Sequence, residues 1–225
     1  MSKSESLHLY EELLLLALRD REGTIASGAW AQQALGGALL AELVLEGRVS
    51  VRGDGKEVVV ARRTPLGDEL LDESLDTIAA SNRARGLSHW VSKLADTKEL
   101  KHRAARSLCR RGILKADTDK LLLLFERRIY PELDPAPERA LVERLRHAIF
   151  DSDEADLDPR TCALVSLAHA TGILGLVFGR KELKPHKARI ERIQRGQAIG
   201  KATREVVDAL QTVILVAAIM PVILG

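Results

Sequence analysis

The chain has 225 residues, enough to bury a sizeable core without dividing into separate domains. Hydrophobic residues make up 46% of it and aromatics only 3%, so Leu, Val, Ala and Ile have to fill that core. Charge is dense but balanced, 34 Lys and Arg against 32 Asp and Glu; the formal +2 excludes a wholesale nucleic-acid coat and permits a local basic face.

Met1 to Ser6 is mostly polar and the Leu-rich run after it carries Glu11 and Glu12, which does not read as a secretory signal. Leu7 to Leu18 is a first helix with those two acids early, where the helix dipole favours them. Ser27 caps the next; Leu35, Leu39, Leu40, Leu43 and Val44 make its stripe and Gly47 stops it. Arg48 to Val51 and Glu57 to Ala61, around Gly53-Asp54-Gly55, alternate as a β-hairpin. Asp68 to Ser81 is helical with Leu70, Leu71, Leu75 and Ile78 inward, and Leu87 to Leu94 is a short helix carrying Trp90. A helix over Lys98–Arg111 follows, with Asp96 or Thr97 as its cap and Glu99 completing a capping box.

Leu121 to Tyr130 is a second hairpin candidate, and three prolines lead into a helix over Glu138–Phe150. Asp158 to Phe178 is the stretch on which the chain should be organised. Asp158 and Pro159 mark its start, and it is apolar on nearly all sides, which makes it a central core helix. Thr161, Ser166, His169 and Thr171 interrupt it too often for a membrane span. Gly179 to His186 reads as a polar linker, Lys187 to Arg195 as a basic helix, and Thr203 to Ala218 as a last core helix ending before Pro221.

No nucleophile elbow, Walker loop, dinucleotide fingerprint or H-E-x-x-H occurs, so neither an enzyme, a cofactor nor a metal is expected. Cys109 and Cys162 have no metal or disulfide spacing and read as buried free thiols of a reducing cytosol. His169 is read as a satisfied core histidine. The informative feature is basic: Lys98 and Lys101 lie one turn apart with Arg103, Arg106, Arg110 and Arg111 following, and a lysine pair over a helix start suits a phosphate group.

Three stretches, Gly37 to Arg48, Pro65 to Leu75 and Leu164 to Ala170, resemble the Golgi phosphoprotein 3 family. The opening Leu7 to Leu18, the Trp90 segment, the run from Arg103 ending Arg-Gly-Ile-Leu at Leu114, and Leu122 to Pro131 fit the same order. The resemblance implies a mostly α fold over 1–225 as one domain: a central apolar helix within a bundle ringed by amphipathic helices, with one or two small β-hairpins. Eukaryotic members are non-enzymatic, peripheral, cytoplasmic-face proteins that bind phosphatidylinositol 4-phosphate and hold membrane-protein tails. The residue usage looks like that of a bacterial member.

The family's headgroup pocket uses a tryptophan, an arginine and a basic pair. Here the tryptophan position falls on Ser27, the arginine position on Gly36 and the basic pair on Lys98 and Lys101; Trp30, one turn from Ser27, is the substitute for the ring. Losing the arginine removes charge-assisted contacts of about 1.5–3 kcal/mol each, so headgroup selectivity should weaken. General attraction to anionic phospholipid, about 1 kcal/mol per basic residue near the surface, survives better. The resemblance also assigns self-association to the second hairpin, here Leu122, Leu124 and Phe125, whose alternative is packing on its own bundle.

Two other readings remain at this point. The helix Ser27 to Glu46 followed by the hairpin Arg48 to Arg63 has the order of a winged-helix nucleic-acid binder, against which the near-neutral charge argues. The other is a scaffold protein whose lipid site has decayed.

Overall fold

Leu9–Ala17 (α1) is the innermost helix of the computed structural model, which describes residues 6–19, 24–25, 29–53, 57–121, 125–151 and 157–197. All nine of its side chains are buried, Glu11 and Glu12 included. A helix with no free face must be enclosed by others. Here α2 (Ala29–Leu45), α5 (Leu100–Arg110), α6 (Ala136–Phe150) and α7 (Pro159–Ala170) pack directly on it. One apolar cluster joins side chains from Leu9 through Leu43, Leu71, Leu94, Leu108 and Leu145 to Ile193, the mostly helical bundle that the sequence leads one to expect.

The centre is therefore α1 flanked by α7, rather than one long helix over Asp158–Phe178. Asp158 caps α7 as expected, its carboxylate accepting the Thr161 amide at 2.9 Å, and Thr161 to Ala168 are all buried. Gly172 then takes φ 76°, which costs glycine little, and the chain leaves as a separate short helix α8 (Ile173–Val177). Leu176, inward in a continuous helix, is 65% exposed for that reason. His169 is exposed as well, so it is no core histidine. The expected linker after it is instead α9 (Arg180–Leu183) and a 3-10 turn (Lys184–His186), leading into α10 (Lys187–Gln194) against α7. The last helix expected, Thr203 to Ala218, lies outside the described residues.

Antiparallel pairs occupy the connections. β1 (Leu18–Arg19) pairs with β2 (Thr24–Ile25), and β3 (Val49–Arg52) with β4 (Glu57–Val60) in the expected hairpin. In the second hairpin β5 (Asp117–Leu121) pairs with β6 (Phe125–Ile129), Asp117 opposite Ile129. The first strand is thus polar and begins four residues before the apolar run used to predict it. Between the two hairpins, Asp68 caps α3 (Glu69–Ala79) by accepting the Leu70 and Leu71 amides, and α4 (Leu87–Ala95) lies along α2.

The winged-helix reading does not survive this packing. From Ala31 to Val44 every side chain of α2 except Gln32 is buried, so the would-be recognition helix has no face to offer a groove. Among the described residues no helix is long and apolar enough to cross a membrane.

The buried acids of the bundle are matched by arginines from outer helices. Glu11 receives Arg111 Nε at 2.9 Å, and Glu12 receives Arg144 Nη2 at 2.8 Å. Glu42 of α2, fully buried, accepts Arg160 through both oxygens and the Leu9 amide at 2.7 Å. Tyr10 donates its hydroxyl to Asp68 at 2.7 Å. Charges in a low-dielectric interior persist only when paired in this way.

Candidate functional site

α5 is built as a two-faced helix. Leu100, Ala104, Ala105, Ser107 and Leu108 are buried toward α1 and α2, leaving its cations on the other side. Their environments divide them. Arg103 donates to Glu69 at 2.7 Å and to Glu73; Arg110 lies 4.0 Å from Glu69; Arg106 lies 3.6 Å from Glu99; Arg111 bonds Glu11. Lys98, exposed, and Lys101, half-buried, have no carboxylate oxygen within 4.0 Å among the described residues. On this stretch, the basic pair that the family resemblance assigns to the headgroup is thus the one with no carboxylate facing it among the described residues.

The helix starts later than its sequence pattern predicts. Asp96 is the C-cap of α4, and Leu100 opens α5, with the Leu100 amide bonded to Thr97 O at 3.1 Å. Glu99 is the N-cap, held at φ 56° and ψ 26°, and makes no side-chain cap bond. The expected capping box is thus absent, and Lys98 sits on the turn before the helix rather than in its first turn. Left-handed backbone is uncommon outside glycine, and among the described residues Glu99 is the one non-glycine with positive φ.

What Glu99 does instead is bridge two elements. One carboxylate oxygen accepts Arg128 Nη1 of β6 at 2.7 Å, and the other faces Arg106 at 3.6 Å. The Arg128 bond holds the Glu99 carboxyl below the usual carboxylate range. Beside it His102 Nδ1 lies 2.9 Å from the Tyr130 hydroxyl; burial, then the charge of Arg128, push the imidazole below its ordinary pKa. Glu99, Arg106, Asp117, Thr118, Arg128 and Tyr130 line an open cleft of about 570 Å³. None of this was readable from periodicity, because Glu99 and Arg128 are 29 residues apart and a single left-handed glutamate leaves no pattern.

The other residues assigned to the headgroup fall out differently. Gly36 is buried against α4: a Cβ there would stand 2.6 Å from Val91 O and 2.7 Å from Ala95 N. It makes a close helix crossing, and an arginine in its place would drive α2 off α4. The crossing does bring α2 beside Ala95, three residues before Lys98. Trp30 falls in the first turn of α2, six residues or about 9 Å along the helix from Gly36. Ser27, Leu122 and Leu124 lie outside the described residues, and Phe125 begins β6.

A larger cleft, about 1150 Å³, opens near the start of α1 between Ser6, His8, Glu46, Asp68, Arg110 and Arg111. Its charges are already answered from within: Arg111 by Glu11, His8 by Glu42, Asp68 by Tyr10. The smaller cleft includes Glu99 and Arg106 at the start of α5 but takes neither Lys98 nor Lys101 into its lining. Among the described residues no cluster of three His, Cys, Asp or Glu could hold a metal ion.

The described residues form a mostly helical bundle with Lys98 on the turn before α5 and Lys101 in its first turn. Residues 9–210 match the family described as Golgi phosphoprotein 3 (GPP34), and the chain belongs to that family. It is similar to vacuolar protein sorting-associated protein 74 of Eremothecium gossypii, at 26% identity over 79% of this chain and 63% of the relative. The chain thus spans somewhat less than two thirds of that relative's length.

Proposed function

We propose that the protein is a peripheral membrane adaptor that binds the anionic headgroups of phospholipids or phosphoinositides and has no catalytic activity. The observation that carries this reading is the state of α5 and the turn before it: four arginines face carboxylates, while Lys98, exposed, and Lys101, half-buried, have none within 4.0 Å among the described residues. Headgroup selectivity is weak in this reading, because Gly36 supplies no arginine and its place is filled by helix packing. A second surface holds the tails of membrane proteins, and the β5–β6 hairpin mediates self-association.

Flotation with phosphatidylcholine vesicles, with and without phosphatidylinositol 4-phosphate or phosphatidylserine, tests it. Binding is expected only to the anionic vesicles. At about 1 kcal/mol per basic residue, Lys98→Ala with Lys101→Ala should lower the bound-to-free ratio roughly thirtyfold. Equal binding by the double variant sinks the site, and equal binding to neutral vesicles sinks the headgroup reading. Failure of the parent to bind any vesicle leaves the scaffold protein with a decayed site.

A further inference from the structure

We infer that the cleft between α5 and β6 is a phosphate seat in its own right, formed by Arg106 and Arg128, whose resting occupant is the carboxylate of Glu99. The seat is separate from the lysine pair: Lys98 and Lys101 are not part of its lining.

Two guanidiniums from different elements converge there, and like charges so placed repel unless an anion lies between them. Glu99 supplies that anion, one oxygen to each arginine. A planar guanidinium and a two-oxygen edge match in geometry, and a phosphate monoester presents the same edge with a further oxygen and up to twice the charge. Glu99 takes its left-handed backbone in the tight turn between α4 and α5, where the Leu100 amide bonds Thr97 O, and its side chain makes no cap bond, which leaves the carboxylate to the arginines.

The remaining charge in the cleft is already committed. Asp117 accepts the Thr118 amide at 2.8 Å and faces Lys115 at 3.4 Å, so it does not compete for either guanidinium. The Tyr130 hydroxyl, steadied by His102, and Thr118 stand on the wall where a third phosphate oxygen would arrive. Exchange needs only that Glu99, which is exposed, swing outward and the phosphate take its place; no bond is made or broken. The ligand is therefore a phosphate monoester, carried by a lipid headgroup or free in solution, and Glu99 weakens its binding by competing for the same two arginines.

The test uses the full chain and two probes: inorganic phosphate by titration calorimetry, and phosphatidylcholine vesicles with or without phosphatidylinositol 4-phosphate by flotation. Glu99→Gln should bind about fivefold tighter, the effect of removing two exposed ion pairs from competition. Arg106→Ala in that background should cancel the gain. Glu182→Gln, which deletes a carboxylate paired with Arg146 at 2.9 Å on α9, controls for added net charge and should change nothing. A gain with inorganic phosphate alone assigns the seat to soluble phosphate, and a gain with the vesicles assigns it to a headgroup.

No gain with either probe overturns the proposal. So does a gain that Glu182→Gln reproduces or that survives Arg106→Ala. Should Glu99→Gln fail to fold by circular dichroism, Glu99→Gly removes the same carboxylate, suits the left-handed backbone, and carries the same expectation. Lys98→Ala with Lys101→Ala should leave the calorimetric gain intact, so the seat and the headgroup reading fail separately; loss of the gain in that background refutes a separate seat.

Discussion

Replacing Arg160 by Met isolates the most demanding interaction of the fold. Glu42 has no exposed surface, and its carboxylate is held by both Arg160 Nη atoms, by the Leu9 amide at 2.7 Å and, more loosely, by His8 Nδ1 at 3.5 Å. Burial alone would raise the Glu42 pKa, but the His8 and Arg160 bonds outweigh it and bring the group below its ordinary value. Methionine keeps the aliphatic stem and removes the charge, leaving a buried carboxylate with one amide and one distant imidazole. Breaking a buried pair in that way costs about 3–5 kcal/mol, a large share of the ~5–15 kcal/mol that holds a domain together.

The pH dependence makes the prediction specific. In the parent, Glu42 with its lowered pKa contributes stability above the ordinary carboxylate pKa, and that stability is lost as pH falls through the folded value. His8 is the opposite case: burial lowers its pKa, but the Glu42 bond and charge raise it overall. It contributes below the ordinary histidine pKa and loses that contribution as pH rises through the folded one. In Arg160→Met the uncompensated Glu42 should titrate high, so the variant should regain stability on acidification from neutral pH, where the parent gains none from Glu42. Urea unfolding across that range measures this. A loss under ~1 kcal/mol at neutral pH, or no recovery in acid, refutes the assignment, and Glu42→Gln with Arg160→Met should be milder than Arg160→Met alone.

Gly36→Ala should destabilise despite alanine's better helix propensity, because its Cβ would meet Val91 O at 2.6 Å. Overpacking of this kind costs about 1–3 kcal/mol, a Tm drop of roughly 2–4 °C for each kcal/mol, readable by calorimetry. Cys162 is buried and its thiol is pushed up to about 12 by that burial, so an aromatic disulfide reagent at mildly alkaline pH should label it only after denaturant is added. Leu174→Ala should cost about 2–5 kcal/mol and Leu176→Ala under ~0.5 kcal/mol by denaturant titration, since Leu174 is wholly buried and Leu176 is 65% exposed. Similar losses at both would mean that the helix continues through Gly172.

Element identity was largely legible, because α1, α2, α3 and α6 carry apolar residues at helical spacing and glycine or a cap at their ends. The break at Gly172 was not. A glycine within Thr-Gly-Ile-Leu-Gly fits a buried helix as well as a left-handed turn, and φ decides which. The lysine pair was legible through spacing and resemblance, but only the folded chain shows that Arg103 and Arg128 take up Glu69, Glu73 and Glu99. The role of Gly36 was opaque for the same reason: only the approach of α4 reveals that a glycine there is required by packing.

The division of labour between arginine and lysine on this fold has a physical basis. Buried carboxylates such as Glu11, Glu12 and Glu42 need a weakly hydrated, planar cation that satisfies several acceptor sites in fixed geometry, and Arg111, Arg144 and Arg160 fill that need. An ammonium group is more strongly hydrated and sits on a mobile stem, so it stays in water and adapts to whatever anion arrives. The bundle has drawn arginines into its own ion pairs, at Glu69 and Glu73 on the surface as well as within, while Lys98 and Lys101 have no carboxylate within 4.0 Å among the described residues. A headgroup met by lysines alone is held by charge more than by geometry, so binding should fall steeply with salt, whereas a phosphate gripped by Arg106 and Arg128 should be less sensitive to it. Vesicle and phosphate titrations at two ionic strengths separate the two surfaces, and equal salt dependence at both would contradict that division.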